Sequence, residues 1–242
     1  MQKQDISLSW AAFQDLNRRR RAIRDFDGNP IPEEQVRALL SEATQAPSSG
    51  NLQPYRLHWV RDPGVKARIA AACNGQRAAS SAPTLVVIEA GREIALGTVA
   101  LQRTHIEGSS DFTEHGKNYH RGQMRMFDRV LGLGSWPIWT PLVSIAALLR
   151  PSLSLLPIGH LGSRAWAARN AAFAAQTLML AASASGIDSC PMEGFSAPKV
   201  AGILGLPRAT VIPVVIALGY RAAEARIDAK WRRPMADVVV EH

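Results

Sequence analysis

Cysteine is nearly absent. The two that occur, Cys73 and Cys190, are too few for a disulfide framework and too far apart for a CxxC redox or metal motif, which fits a reducing compartment. The opening residues MQKQDISLSW lack the apolar core and small-residue cleavage site of a secretion signal, so a cytoplasmic location is the expectation. No unbroken apolar run of membrane-spanning length occurs either: residues 135–157 come nearest, and four prolines and Arg150 interrupt them. No repeat of useful period marks a solenoid or an array. His105, His115 and His120, near Asp111 and Glu114, are spaced by ten and five residues, which does not place them on one helical face, and no metal site is expected. No nucleophile is paired with a base, which argues against a hydrolase.

Positive charge is what the chain has in excess. Lys and Arg number 28 against 20 Asp and Glu, a formal net charge of +8. That excess favours anionic ligands or surfaces without choosing among them. No basic amphipathic helix, zinc-finger spacing or aromatic RNA-binding signature accompanies it, so nucleic acid is not the expected partner. With 47% apolar and 20% charged residues in 242, the composition suits one globular domain spanning 1–242.

Periodicity supplies the elements. Pro32 opens a helix carrying Val36, Leu39, Leu40 and Ala43 on one face, which stops at the loop APSSGNLQP (46–54). A short strand is expected over Arg56–Val60, a helix over Val65–Cys73, and a buried strand over 83–90 (PTLVVIEA). Residues 108–123 read as an exposed loop or frayed helix start. From Ser163 to Ser185 the chain is apolar nearly all round, as in a central helix containing Trp166, and Gly186 caps it. A short helix is expected over Lys199–Leu204, the strongest strand over 210–220, and a last strand in MADVVVEH. Helices around a few central strands make an α+β or α/β sandwich.

Four stretches carry chemistry. In NRRRRAIRDF (17–26), Arg20, Arg21 and Arg24 sit at spacings from which a helical turn brings two or three guanidiniums onto one phosphate. The loop Pro47-Ser48-Ser49-Gly50-Asn51-Leu52-Gln53 offers hydroxyls, amides and free backbone N–H groups. In Pro191-Met192-Glu193-Gly194-Phe195, Gly194 lets backbone approach a flat ligand. Lys230-Trp231-Arg232-Arg233-Pro234 is a second cationic knot.

In this order, and with QTLMLAA (176–182), LGLP (204–207) and ALGY (217–220), these stretches resemble the nitroreductase family of FMN-dependent NAD(P)H oxidoreductases over nearly the whole chain, apart from roughly 103–160. The resemblance implies a central, mostly antiparallel sheet surrounded by helices in an intertwined homodimer. It implies FMN phosphate binding by Arg20, Arg21, Lys230 and Arg232, and a cation, Arg24, at the flavin N1–C2=O edge, where negative charge gathers on reduction. Gln76 becomes a ribityl or pyrimidine contact. Pro47, Ser48, Ser49, Asn51 and Gln53 become cofactor contacts from the loop that this family places across the dimer, and Pro191, Met192, Glu193 and Gly194 line the flavin, the last two near N5. Ala22 stands where the family has serine, so one hydroxyl contact falls to backbone or Gln76. Arg18 and Arg19 are left to the surface.

The implied activity is ping-pong hydride transfer through flavin N5, from NADH or NADPH to an electron-poor small molecule such as a nitroaromatic or quinone. A specialised flavin-fragmenting or dehalogenating relative and a non-catalytic flavin-binding protein stay open. The apolar insert within 103–160, with Trp136, Trp139, Leu142, Ile145 and Leu148, suits a lid over the acceptor or packing across the dimer or against the core. Membrane contact is the least expected of its uses.

Overall fold

The computed structural model of the chain describes residues 7–133 and 136–242; expectations that fall on residues 1–6, 134 and 135, including part of the reading of the opening stretch MQKQDISLSW, lie outside the described residues. In chain order the helices and strands are α1 (Ser7–Arg19), α2 (Glu33–Thr44), β1 (Tyr55–Val60), α3 (Pro63–Ala72), α4 (Arg77–Ser81), β2 (Thr84–Ala90), α5 (Arg92–Gly108), α6 (Glu114–Leu133), α7 (Trp139–Leu149), α8 (Gly159–Ala184), β3 (Asp188–Met192), α9 (Ala197–Ile203) and β4 (Val211–Gly219). Short 3-10 turns occur at Ser49–Asn51, Pro151–Leu155 and Met235–Asp237.

The strands form one antiparallel sheet in the order β1-β2-β4-β3, so the two most apolar segments occupy its centre. Central strands covered on both faces read as continuous apolar runs rather than alternating ones. Alternation still sorts the side chains: Val86, Ile88, Val214, Ile216 and Leu218 face a layer built from α2, α5, α6 and α8. Leu85, Val87, Val215 and Ala217 face the opposite layer, with α3, α4, α9, Ile23 and Phe26. The expected α+β sandwich is observed.

Helix α8 is the main support. Ala167, Ala171, Ala174 and Ala182 let it approach the sheet closely, with Leu178 filling between them. It is not buried on every face as its composition suggests, because Leu161 and Phe173 stand exposed. A Schellman motif ends it: the Ile187 N–H donates to the Ala182 carbonyl at 2.9 Å and the Gly186 N–H to Ser183, with Gly186 at φ +77°.

Three expectations are corrected. Residues 108–123 are largely helix: α5 and α6 pack as a hairpin, burying Ile106, Met124 and Leu131, while Arg121 pairs with Glu107 at 2.6 Å and Arg103 with Asp128 at 2.5 Å. Packing and cross-helix ion pairs override the weak local helix propensity of Gly116 and Gly122. Residues 20–26 are not helical, because after Arg19 the chain is captured by sheet edges. The Ile23 N–H donates to the Ser189 carbonyl at 3.1 Å and the Asp27 N–H to Tyr220 at 3.0 Å, while Ile23 and Phe26 enter the core. MADVVVEH forms the last 3-10 turn and an exposed tail instead of a strand, since no sheet edge receives it.

Candidate functional site

An open cleft of about 610 Å³ is lined by Asn17, Arg18, Arg20, Gln176, Lys230 and Arg232. Three elements build it: the C-terminal end of α1, an exposed stretch of α8, and the returning tail. The tail is anchored by Lys230, whose Nζ donates to the carbonyls of Asn17 (2.7 Å) and Arg18 (3.3 Å) at the negative end of the α1 dipole. Arg21 is turned to the Asp228 carbonyl and braces the same tail from outside the cleft.

The cluster carries positive charge in excess of its carboxylates. Burial first, then the charges of Arg232 and Arg21, holds the Arg20 guanidinium below the usual arginine range. Burial, then Arg232, Arg20 and Arg21, lowers the Lys230 ammonium. Among the described residues, no carboxylate pairs with Arg20, Lys230 or Arg232. Arg19, one residue earlier, differs: it pairs with Asp15 at 2.7 Å on the outer side of the helix. Converging cations without an internal counter-charge fit a phosphate dianion, which forks onto guanidinium N–H groups.

The other candidates fall in two further groups. Gly194 lies just past the β3 edge, and its carbonyl accepts from Gln76 Nε2 at 2.7 Å and Asn74 Nδ2 at 3.0 Å. Its N–H makes no hydrogen bond among the described residues, and Gly194, Glu193 and Pro191 are all exposed. Met192 turns its side chain into the core at 1% exposure, so its backbone is what it offers a ligand there. Arg24 and Ala22 are exposed beside β3, where Ala22 makes an isolated bridge to Ser189. Burial raises the Cys190 thiol, and the nearby charge of Arg24 opposes that rise.

The Pro47–Gln53 loop forms the third group and is tightly held. The Ser49 N–H donates to Asn170 Oδ1 at 2.7 Å, the Gln53 N–H to Ser48 Oγ at 2.9 Å, and Gln102 Nε2 to the Asn51 carbonyl at 2.6 Å. Asn51 and Gln53 adopt positive φ of 54° and 42°, a conformation that side chains seldom take without such support. None of Pro47, Ser48, Ser49, Asn51 or Gln53 lines the arginine cleft, nor do Glu193, Gly194 or Gln76.

Sequence reasoning missed several of these positions. Arg18 lines the cleft rather than plain surface, and Asn17 and Gln176 join it. Gln176 belongs to a recognised motif, but nothing in the motif separates a lining residue from a core one. Asn170 and Gln102, which pin the loop, carry no local signal.

The sequence profile described as the nitroreductase family matches residues 18–220. A protein of Thermus thermophilus named as an NADH dehydrogenase is 32% identical over 222 residues, covering 92% of each chain. Among solved structures, Bacillus subtilis ydfN superposes with a TM-score of 0.76 at 24% identity, covering 96% of this chain and 100% of its own. An Exiguobacterium sibiricum protein crystallised in complex with FMN gives 0.67 at 21% identity, covering 95% and 97%.

Proposed function

Because this chain belongs to the nitroreductase family, we propose that it is an FMN-dependent oxidoreductase carrying electrons from NADH or NADPH to an electron-poor acceptor, such as a nitroaromatic or a quinone, in ping-pong order. The observation that carries the reading is the carboxylate-free convergence of Arg20, Lys230 and Arg232 on one cleft. The name of the Thermus relative and the FMN held by the Exiguobacterium structure support it.

When bound, FMN supplies an N5 position that accepts and returns hydride. The chain's own residues do the rest. Arg20, Lys230 and Arg232 hold the phosphate, and Arg21 fixes the tail that carries two of them. Arg24 offers a cation to the pyrimidine edge, where a fixed charge favours the reduced ring. Gln76 and Asn74 occupy the Gly194 carbonyl, which leaves the Gly194 N–H as the donor toward N5.

The site is completed by a second copy, whose Pro47–Gln53 loop closes over the ring system. This accounts for the loop being rigid yet away from its own cleft. It also accounts for exposed aromatics on the elements around the cleft: Trp10 and Phe13, stacked with centroids 6.1 Å apart on α1, Phe173 on α8, and Trp231 in the tail. The cytoplasm is the proposed location.

The test is an absorbance spectrum of the purified protein, followed by oxygen-free addition of NADH or NADPH. Flavin bands that bleach support the reading and reveal the donor. A colourless protein that takes up no FMN overturns it.

A further inference from the structure

Residues 136–157 differ from the rest of the surface. None of them is buried, although they include Trp136, Trp139, Leu142, Ile145, Leu148 and Leu149, the last two at 81% and 88% exposure. The core does not use this segment, whereas the preceding α5 and α6 are anchored in it through Ile106, Met124 and Leu131. A helix apolar on all sides is at home in a protein interior or in lipid, and an exposed patch of this kind marks a surface that something covers.

Charge indicates what covers it. From residue 129 to residue 187 the chain contains no Asp or Glu, but it contains Arg129, Arg150, Arg164 and Arg169. Arg150 closes the C-terminal end of α7, and Arg169 reaches the Leu155 carbonyl at 2.5 Å, so cations border the apolar face. A second copy docked through the same face would bring arginine-bordered surface onto arginine-bordered surface, because a two-fold contact joins the same patch on both copies and the segment has no carboxylate to offset the charge. An anionic lipid surface supplies the missing charge. The residue types agree: Trp136 and Trp139 at one end and Arg150 at the other suit headgroup depth, while leucine and isoleucine between them enter the acyl boundary.

We propose that α7 and the Pro151–Leu155 turn dock this protein on an anionic bilayer surface. The contact is peripheral, since among the described residues no helix is long and apolar enough to cross a membrane. Docking leaves the arginine cleft clear of lipid. Helix α7 is pinned to the first turn of α8, where the His160 N–H donates to Thr140 Oγ1 at 2.9 Å, and Gln176 of the cleft lies about 24 Å further along that helix. From the sequence, membrane contact ranks as the least expected use of the segment; only the structure shows that the segment packs into no core. Docking stands independently of the cofactor assignment.

Sedimentation of the full-length protein with phosphatidylcholine vesicles, with and without about one third phosphatidylglycerol, tests it. The expected result is binding to the anionic vesicles only. Replacing Leu148→Glu and Leu149→Glu together should weaken that binding by about tenfold or more, with an unchanged melting temperature because both side chains are already exposed. Wild-type protein that stays in the supernatant with anionic vesicles overturns the proposal. So does a double variant that binds as well as wild type, since the basic surface elsewhere would then carry the interaction. A smaller oligomeric mass in the variant assigns the face to a second copy and overturns it too.

Discussion

Lys230 donates from Nζ to the Asn17 carbonyl at 2.7 Å, joining residues 213 positions apart. That bond brings the late basic knot onto the end of α1, beside Arg20. Two cationic segments at opposite ends of the chain thereby become one anion site, built on a helix terminus that itself favours a cation.

Replacing Arg20→Ala and Arg232→Ala together should give a folded protein that purifies largely without flavin. Each loss removes a charge-assisted hydrogen bond of roughly 1.5–3 kcal/mol, so FMN affinity should fall by about a hundredfold or more. Titration of the apoprotein with FMN measures it. Full occupancy in the double variant would show that the phosphate sits elsewhere.

The lowered Lys230 value gives a pH signature. A cation held below its ordinary value binds its proton less well when folded than when unfolded. In the ligand-free protein, stability therefore rises with pH from the folded value up to the ordinary one, 10.5. Bound phosphate cancels the repulsion. The extra thermal stabilisation by FMN over riboflavin should be largest near neutral pH and shrink as Lys230 loses its proton. A difference that does not change with pH up to this range would remove Lys230 from the phosphate set.

Asn170→Ala should destabilise the protein by about 1–3 kcal/mol, because it strands the Ser49 N–H beside a buried gap. Urea unfolding reads the loss. In the proposed dimer, the loosened Pro47–Gln53 loop should also weaken FMN binding more than the stability change alone explains.

Two glycine substitutions separate site from scaffold. At Gly194 an added Cβ meets only the Gln76 side-chain amide, Nε2 at 3.3 Å and Cδ at 3.9 Å, and that amide can shift. Gly194→Ala should therefore slow flavin reduction by NAD(P)H while costing under about 1 kcal/mol. At Gly219 the same atom would lie 2.6 Å from Pro83 Cδ and 2.8 Å from Phe26 Cδ1 inside packed structure. Gly219→Ala should cost about 1–3 kcal/mol. Stopped-flow reduction and equilibrium unfolding distinguish the two.

Legibility varied with how local the signal was. The α2 face of Val36, Leu39 and Ala43, the Gly186 cap and both central strands could be read directly, because periodicity and capping are properties of neighbours. The helical state of residues 114–123 could not, since Gly116, Gly122 and a polar composition argue locally for loop, and only packing on α5 decides for helix. The arginine run misled in the opposite direction. Its spacing suited a helix, yet after Arg19 the Ile23 and Asp27 N–H groups bond to Ser189 and Tyr220 and draw the chain out of helical geometry.

By itself, then, the sequence determined the class of fold, the excess of cations and the ordered motifs that name the family, because each of these depends on residue type and short spacing. The tertiary structure alone decided which arginines converge, how Met192 is turned, what pins the Pro47–Gln53 loop, and that the apolar stretch after α6 packs into no core. Those outcomes depend on contacts between segments distant along the chain, such as Lys230 with Asn17 or Ser49 with Asn170, and no local pattern encodes them.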